Sequence, residues 1–208
     1  MIPPHVWFTP VPTLFWSEYS GKPFLKCISC QVPLMESDLY VVQKRIVRDE
    51  AVLEMAMCNR CREQQSAEMS EETRRNTTED MARYFQKQAE DQIPDSDGPQ
   101  IIEVAQIEDP EQGEAMMKHC TDHCLICRTA RSECYRYSLI GVCRDENLVV
   151  QVTPISQAPF MVCEKCELGM ADLVSQETRD SWDRFIEDHF DGPPGVEVDS
   201  PSSYPLAF

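Results

Sequence analysis

The sequence has few glycines, few histidines and no long apolar run, and each shortage excludes a class of function. Seven glycines among 208 residues form no glycine-rich phosphate-binding loop, and no Gly-x-Ser-x-Gly nucleophile motif occurs. The four histidines are scattered and form no His-Glu-x-x-His metalloprotease motif. We find no catalytic constellation and therefore predict that the protein is not an enzyme.

Positive charge is also scarce. The chain has 19 lysines and arginines against 36 aspartates and glutamates, which gives a formal net charge of −17. Binding to a phosphate backbone requires clustered positive charge, so this excess disfavours a nucleic-acid partner. The candidates for a basic face despite that total are Lys44, Arg45, Arg48, Arg60, Arg62, Arg74, Arg75 and Arg83.

The apolar residues indicate neither a membrane span nor a signal peptide. No apolar run approaches the roughly 20 residues that a transmembrane helix needs. The N-terminal stretch "MIPPHVWFTPVPTLFW" lacks the basic start and the uninterrupted apolar core of a signal peptide. We therefore expect a cytoplasmic protein with no membrane partner, in a compartment where paired cysteines bind metal more often than they form disulfides.

Cysteine is abundant, and its spacing is the strongest chemical signal in the sequence. Eight of the eleven cysteines form four C-x-x-C pairs. Such a turn places two thiolates on one side of a knuckle, and a second pair completes a tetrahedral site for zinc. We predict two structural Zn²⁺ ions per chain. The predicted ligands are Cys27, Cys30, Cys58 and Cys61 in the first site, and Cys124, Cys127, Cys163 and Cys166 in the second.

The four pairs belong to two halves whose elements follow in the same order. Each half has a C-x-x-C pair, a β-rich run, an Arg-Asp-Glu triplet, a second β-rich run, a second pair and a helical segment opening Ser-x-Glu-Thr-Arg. The triplets, at 48–50 and 144–146, indicate the turns of two hairpins. Ser70 and Ser175 open the helical segments as good N-caps. We interpret the chain as a duplicated module of the α+β class.

A knuckle, a hairpin and a second knuckle that opens a helix resemble a treble-clef or zinc-ribbon-type zinc-binding module. The resemblance implies that the last two ligands of each site lie in the first turn of a helix, where amides stabilise thiolates. It implies a fold group and not one activity. The phrases "GKPFLKCISC" and Ser-x-Glu-Thr-Arg also look like phrases of uncharacterised bacterial proteins, a likeness that implies no activity.

Composition divides the chain into five predicted segments. They are an aromatic and proline-rich arm at 1–24, a zinc module at 25–88, an acidic linker at 89–117, a second zinc module at 118–191 and a flexible tail at 192–208. Prolines prevent an early helix in the arm, which we expect to pack over the first module. The alternative is that the arm docks onto another protein through its exposed aromatic side chains.

Three cysteines remain outside the predicted sites, and two histidines lie close to one of them in the sequence. Cys134 and Cys143 are expected to be small buried hydrophobes. Cys120 completes a C-x3-C-x2-C spacing that resembles the iron–sulfur motif of radical-SAM enzymes, but the chain after it is too short for their barrel. His119 and His123 are expected to be solvated or capping side chains. The alternative is that they replace a cysteine ligand in the second site or donate a hydrogen bond to one.

Other uses of the C-x-x-C pairs stay open at this point. Rubredoxin-like electron transfer or redox sensing is one alternative, although rubredoxin-like knuckles usually continue with glycine and these continue with Gln31, Arg62, Arg128 and Glu167. A cross-brace that pairs Cys27/Cys30 with Cys124/Cys127 is disfavoured because each half contains a full set of ligands.

The predicted function is binding and not catalysis. Four cysteine ligands leave zinc no open position for water or substrate. We therefore expect a non-enzymatic zinc protein that interacts with another protein, with a homodimer as one form of that interaction. A nucleic-acid-associated zinc finger is the alternative that the charge disfavours.

Overall fold

One antiparallel sheet runs through both halves of the chain. The structure is a computed structural model that describes residues 6–91, 110–153 and 156–190. In that part of the chain the strands are β1 (Val6–Pro10), β2 (Tyr40–Val47), β3 (Glu50–Cys58), β4 (Arg136–Arg144), β5 (Asn147–Thr153), β6 (Ser156–Ala158) and β7 (Phe160–Cys163). The helices are α1 (Asn59–Ala67), α2 (Glu71–Asp91), α3 (Pro110–Thr121), α4 (Glu164–Ala171) and α5 (Gln176–His189). The fold is α+β, as predicted.

The sheet joins the two hairpins through their first strands. Its order is β1-β5-β4-β2-β3, with β6 on β5 and β7 on β4. Strands β2 and β4 pair along their length, from Tyr40 opposite Cys143 to Val47 opposite Arg136. The buried apolar side chains of both halves form one cluster, which includes Val42, Leu139 and Trp182. The hairpins therefore share a ladder and a core.

Positions 97 residues apart correspond in the two hairpins. Arg48 and Asp145 each open a two-residue turn with positive φ, 59° and 52° respectively. Cys27 and Cys124 are separated by the same 97 positions. The Arg-Asp-Glu triplets are 96 apart, so they are offset by one position and are not equivalent, contrary to their alignment by sequence. A one-residue slip would move every strand side chain to the opposite face of the sheet.

The repeated Ser-x-Glu-Thr phrase lies where the two long helices meet. The Ser70 amide donates to Thr178 Oγ1 (3.0 Å), and the Ser175 amide donates to Thr73 Oγ1 (2.9 Å). Each serine hydroxyl also accepts from the threonine amide of its own helix, and the serine hydroxyls lie 2.8 Å apart. Both threonines are 1% exposed. Each half thus supplies a capping group to the other. We call the side chains of Ser70, Thr73, Ser175 and Thr178 the hydroxyl cluster.

A buried ion pair also crosses between the halves. Arg45 on β2 donates to Glu167 on α4 at 2.7 Å, and the Ser138 hydroxyl donates to the same carboxylate oxygen at 3.0 Å. Arg45 is 4% exposed and Glu167 is 1% exposed. Burying charges is costly unless they are paired and hydrogen-bonded. This contact therefore fixes α4 of the second half to the hairpin of the first.

The N-terminal arm contacts both halves and not only the first. Strand β1 pairs with β5 of the second half, whereas Lys44 of the first half donates to the Trp16 carbonyl at 2.8 Å. Phe15 is fully buried against Gly141, where a Cβ atom would come within 2.8 Å of its ring. The expected packing over the first module alone was therefore too narrow.

The predicted boundaries of the acidic linker fall inside helices. Residues 110–117 were assigned to the acidic linker, yet helix α3 spans Pro110–Thr121 and buries Met117 and Cys120. This burial explains why a stretch of acidic composition forms part of the fold. Residues 89–91 of the predicted linker belong to α2. The rest of the predicted linker, 92–109, and all of the predicted tail lie outside the described residues. No helix in the described residues is long and apolar enough to cross a membrane.

We expect the hydroxyl cluster to stabilise the junction between the halves. Thr178→Val removes the acceptor of the Ser70 amide and should lower the free energy of unfolding by about 1–3 kcal/mol, because a buried donor loses its partner. Thr73→Val should do the same to the Ser175 amide. Urea denaturation measures both. The control is Thr78→Val, whose exposed hydroxyl bonds only within its own helix; an equal loss in that variant would contradict the role of the cluster.

We expect the buried ion pair to show strong coupling. Arg45→Met leaves the Glu167 carboxylate buried without its cation, which should cost about 3–5 kcal/mol of unfolding free energy. The double variant Arg45→Met/Glu167→Met should be more stable than Arg45→Met, because neither charge is then left alone. Arg83→Met provides the control, since Arg83 is 71% exposed and its ion pairs are long. Additive losses in the double variant would contradict this interpretation.

Candidate metal centres

The eight predicted cysteines converge in two separate groups. One contains Cys27, Cys30, Cys58 and Cys61, and the other contains Cys124, Cys127, Cys163 and Cys166. Within each group the four sulfur atoms lie within 4.8 Å of one another. All eleven cysteines are free thiols. The grouping follows the sequential pairing expected from the sequence, and no cross-brace forms between the two first pairs.

The same elements position the ligands in both groups. The second pair of each group straddles the start of a helix: Cys58 is the N-cap of α1, and Cys163 is the N-cap of α4. Cys61 and Cys166 follow in the first turn of these helices. The strands β3 and β7 end at the N-cap cysteines, so the hairpin and the sheet determine where each helix begins.

The first pair of each group lies in a knuckle with matching hydrogen bonds. The Gln31 amide donates to the Cys27 carbonyl (2.9 Å), and the Arg128 amide donates to the Cys124 carbonyl (3.0 Å). Gln31 and Arg128 both have positive φ, at 59° and 61°. These positions favour glycine, and the chain adopts the conformation without it. A missing glycine is therefore a poor guide to the type of metal knuckle in this protein.

Backbone amides connect the two pairs of each group. The Cys58 amide donates to Cys27 Sγ, and the Cys163 amide donates to Cys124 Sγ, both at 3.4 Å. Such bonds favour a sulfur that carries negative charge. The second knuckle also receives a hydrogen bond from the other half, because the Tyr84 hydroxyl on α2 donates to the Leu125 carbonyl.

The spacing of the sulfur atoms fits a tetrahedral ion. Ligands at about 2.3 Å from zinc are separated from one another by about 3.8 Å in a regular tetrahedron. Cys30 Sγ and Cys58 Sγ lie 3.8 Å apart, and Cys127 Sγ and Cys163 Sγ lie 3.5 Å apart. Both groups are therefore arranged to bind a metal ion in a structural role.

One thiol in each group has a lowered pKa. A backbone hydrogen bond at Val32 lowers the pKa of Cys30 to about 6. Burial opposes ionisation of Cys127, but hydrogen bonds from the Thr129 side chain and backbone lower its pKa to about 6. Burial raises the pKa of Cys61 to about 12 and that of Cys163 to about 11. Burial therefore favours the protonated form of the Cys61 and Cys163 thiols. A metal ion that binds these thiols would displace their protons.

The remaining candidates lie outside these groups. Cys120 and Cys143 are fully buried, and burial raises their pKa values to about 11 and about 12. Cys134 donates to the Ala130 carbonyl at 3.3 Å. Among the described residues, neither His119 nor His123 joins a metal-binding group. The C-x3-C-x2-C spacing therefore does not bring Cys120 to the second site.

The sequence did not identify the charged residues that are buried in the protein. Arg45 and Lys44 are candidates for a basic face, but they are 4% and 2% exposed; Arg45 pairs with the buried Glu167, and Lys44 pairs with the exposed Glu18. Glu167 was noted only as the residue after Cys166. The repeated Ser-x-Glu-Thr phrase was the available signal for the junction between halves, because identical capping residues at two helix starts can exchange partners.

Each group offers four thiols to one ion, which is a complete tetrahedral set. No protein-family model, no curated protein and no solved structure matches this chain. Metal binding is accordingly inferred from the geometry of the two groups.

Proposed function

We propose that the protein is a non-enzymatic zinc protein with two structural four-cysteine sites, built from two treble-clef-like units of a duplicated module. The spacing of four sulfurs about each site carries the proposal. The matched knuckles, the matched turns 97 residues apart and the paired helix starts support the duplication. In each unit, a knuckle and a helix N-terminus hold the ion between them.

Zinc fits these sites better than the hard metals do. Thiolate ligands favour zinc, copper(I) or iron over magnesium and calcium, and zinc accepts a closed set of four sulfurs without redox chemistry. When bound, the ion would supply cross-linking of the knuckle to the helix and no open position for a substrate. Structural zinc contributes on the order of 10 kcal/mol of folding free energy in small modules, which is enough to determine whether α1 and α4 hold their positions.

We further propose that the role of the folded chain is to bind another protein. The formal net charge of −17 opposes nucleic acid, and burial of Lys44 and Arg45 removes two of the eight basic residues that an opposing face would need. Apolar side chains remain exposed on the arm and the first knuckle, including Tyr19 at 98% and Leu25 at 68%. Contact surfaces of this kind suit a protein partner better than a phosphate backbone.

Elemental analysis of protein purified without added metal tests the proposal. We expect about two zinc ions per chain, from two complete ligand sets. Cys163→Ser/Cys166→Ser removes half of the second set and should reduce the content to about one ion. Cys134→Ser is the matched control, because it changes a cysteine of the same half outside the group and should keep both ions.

Two outcomes would contradict the proposal. Iron in place of zinc, with a coloured protein and a reversible potential, would favour rubredoxin-like electron transfer. Absence of metal together with titratable disulfides would favour redox chemistry of the pairs. A salt-dependent shift with DNA or RNA would separately contradict the proposed preference for a protein partner.

A further inference from the structure

A polar cleft of about 840 Å³ opens where the first hairpin turn meets the second knuckle. Its walls include Arg48 and Asp49 from the turn, Asp122 and Arg131 beside the knuckle, and Tyr135 and Tyr137 at the entrance to β4. The cleft is separate from the cysteine groups, and nothing in the proposed metal chemistry uses it.

Two residues of the cleft wall correspond to buried residues in the other half. Leu34 stands 97 positions before Arg131 and is fully buried. Tyr40 stands 97 positions before Tyr137, is 3% exposed, and donates its hydroxyl to the Asp145 carbonyl in the second turn at 3.0 Å. In the described part of the chain the Tyr137 hydroxyl forms no such bond. At this position the second half has an arginine on the cleft wall, where the first half packs a buried leucine.

The charges on the cleft walls are already partly paired. Arg131 bonds Asp122 at 3.1 Å, and the Arg48 guanidinium lies 5.3 Å from the centre of the Tyr135 ring. Asp49 is exposed and forms no ion pair with any residue in the described ranges. A carboxylate beside a tyrosine is a suitable site for a cation, and the Arg48 contact shows that the aromatic wall accepts a guanidinium.

The net charge of the chain, and the charge that the second site would carry with a bound metal ion, favour a cation over an anion. The four charged walls of the cleft sum to zero, but four thiolates around a divalent ion would leave about two negative charges at the second site, next to His123 on the cleft wall. Burial raises the pKa of Tyr137, and the charges of Asp49 and Glu18 raise it further against the opposing charge of Arg131. The chain as a whole carries a formal charge of −17, which attracts cations from a distance.

We propose that this cleft binds a basic side chain, arginine or lysine, of a partner peptide. Asp49 would neutralise the cation and Tyr137 would contact it, while the Arg131–Asp122 pair holds the opposite wall open. The proposal deepens the proposed function and rests on it, because it names the chemistry by which the protein partner is recognised and because it includes the charge of the second metal site.

Chemical-shift mapping on the isotope-labelled, metal-loaded full chain tests this proposal. The probes are N-acetylated tripeptide amides with arginine, its neutral isostere citrulline, or glutamate at the centre. We expect the arginine peptide to shift the amides of Arg48, Asp49 and Tyr135, and to bind about tenfold more tightly than the citrulline peptide. Binding should weaken as salt is raised.

Two variants and one matched control locate the interaction. Asp49→Asn should weaken arginine-peptide binding about tenfold, because the unpaired carboxylate is lost. Arg131→Leu introduces the residue that the first half buries at this position and should abolish binding, because the Arg131–Asp122 pair that holds the opposite wall is lost. Glu146→Gln removes the carboxylate at the corresponding turn position, 97 residues after Asp49, and should leave binding unchanged.

The metal content of each sample separates this proposal from the proposed function. Two zinc ions with no arginine-peptide binding, or binding that neither Asp49→Asn nor Arg131→Leu weakens, would overturn the cleft proposal alone. Tighter binding of the glutamate peptide would overturn it as well, by showing an anion site. Wild-type protein without metal would overturn the proposed function, whatever the peptides do.

Discussion

The pairing of β2 with β4 is the constraint on which the rest of the structure depends. Gln43 lies opposite Ile140 in this pairing. Ile140 is also the residue 97 positions after Gln43, so the two hairpins are related by an approximate two-fold axis that passes between these residues. Because β2 and β4 pair, neither strand is an exposed edge of the sheet. The helices of both halves pack on a shared core. Neither hairpin would bury its apolar surface as completely alone.

The metal groups follow from this arrangement because each lies at the end of a strand. Strands β3 and β7 deliver Cys58 and Cys163 to the starts of α1 and α4, and the knuckles reach them through amide–sulfur hydrogen bonds. Cys163 stands 105 positions after Cys58, whereas the first pairs of the two groups are 97 positions apart. The difference arises because the second half contains β6 and its connections before its second pair. The ligand geometry is kept although the chain between the pairs is longer.

Local features of the structure could be predicted from the sequence, whereas contacts between the two halves could not. The C-x-x-C spacing, the hairpins and the serine caps each depend on a few neighbouring residues. The ladder partner of β2 depends on which of several apolar strands meets it, and composition does not determine that choice. Lys44 and Arg45 look like surface residues until the partners Trp16 and Glu167 are known. The identical Arg-Asp-Glu triplets conceal a one-residue offset that the sheet register reveals.

The two halves depart from two-fold symmetry at the buried ion pair. The counterpart of Arg45 is Val142, and the counterpart of Glu167 is Arg62, which bonds Asn59 in its own helix. Among the described residues, one ion pair buried on both sides joins the two halves. A second such pair would repeat the cost of desolvating two charges. The Arg45–Glu167 pair joins the helix carrying Cys166 to the strand whose hairpin leads to Cys58. The two cysteine groups are therefore connected through β2 and this ion pair, and the cleft lies between the first hairpin turn and the second knuckle.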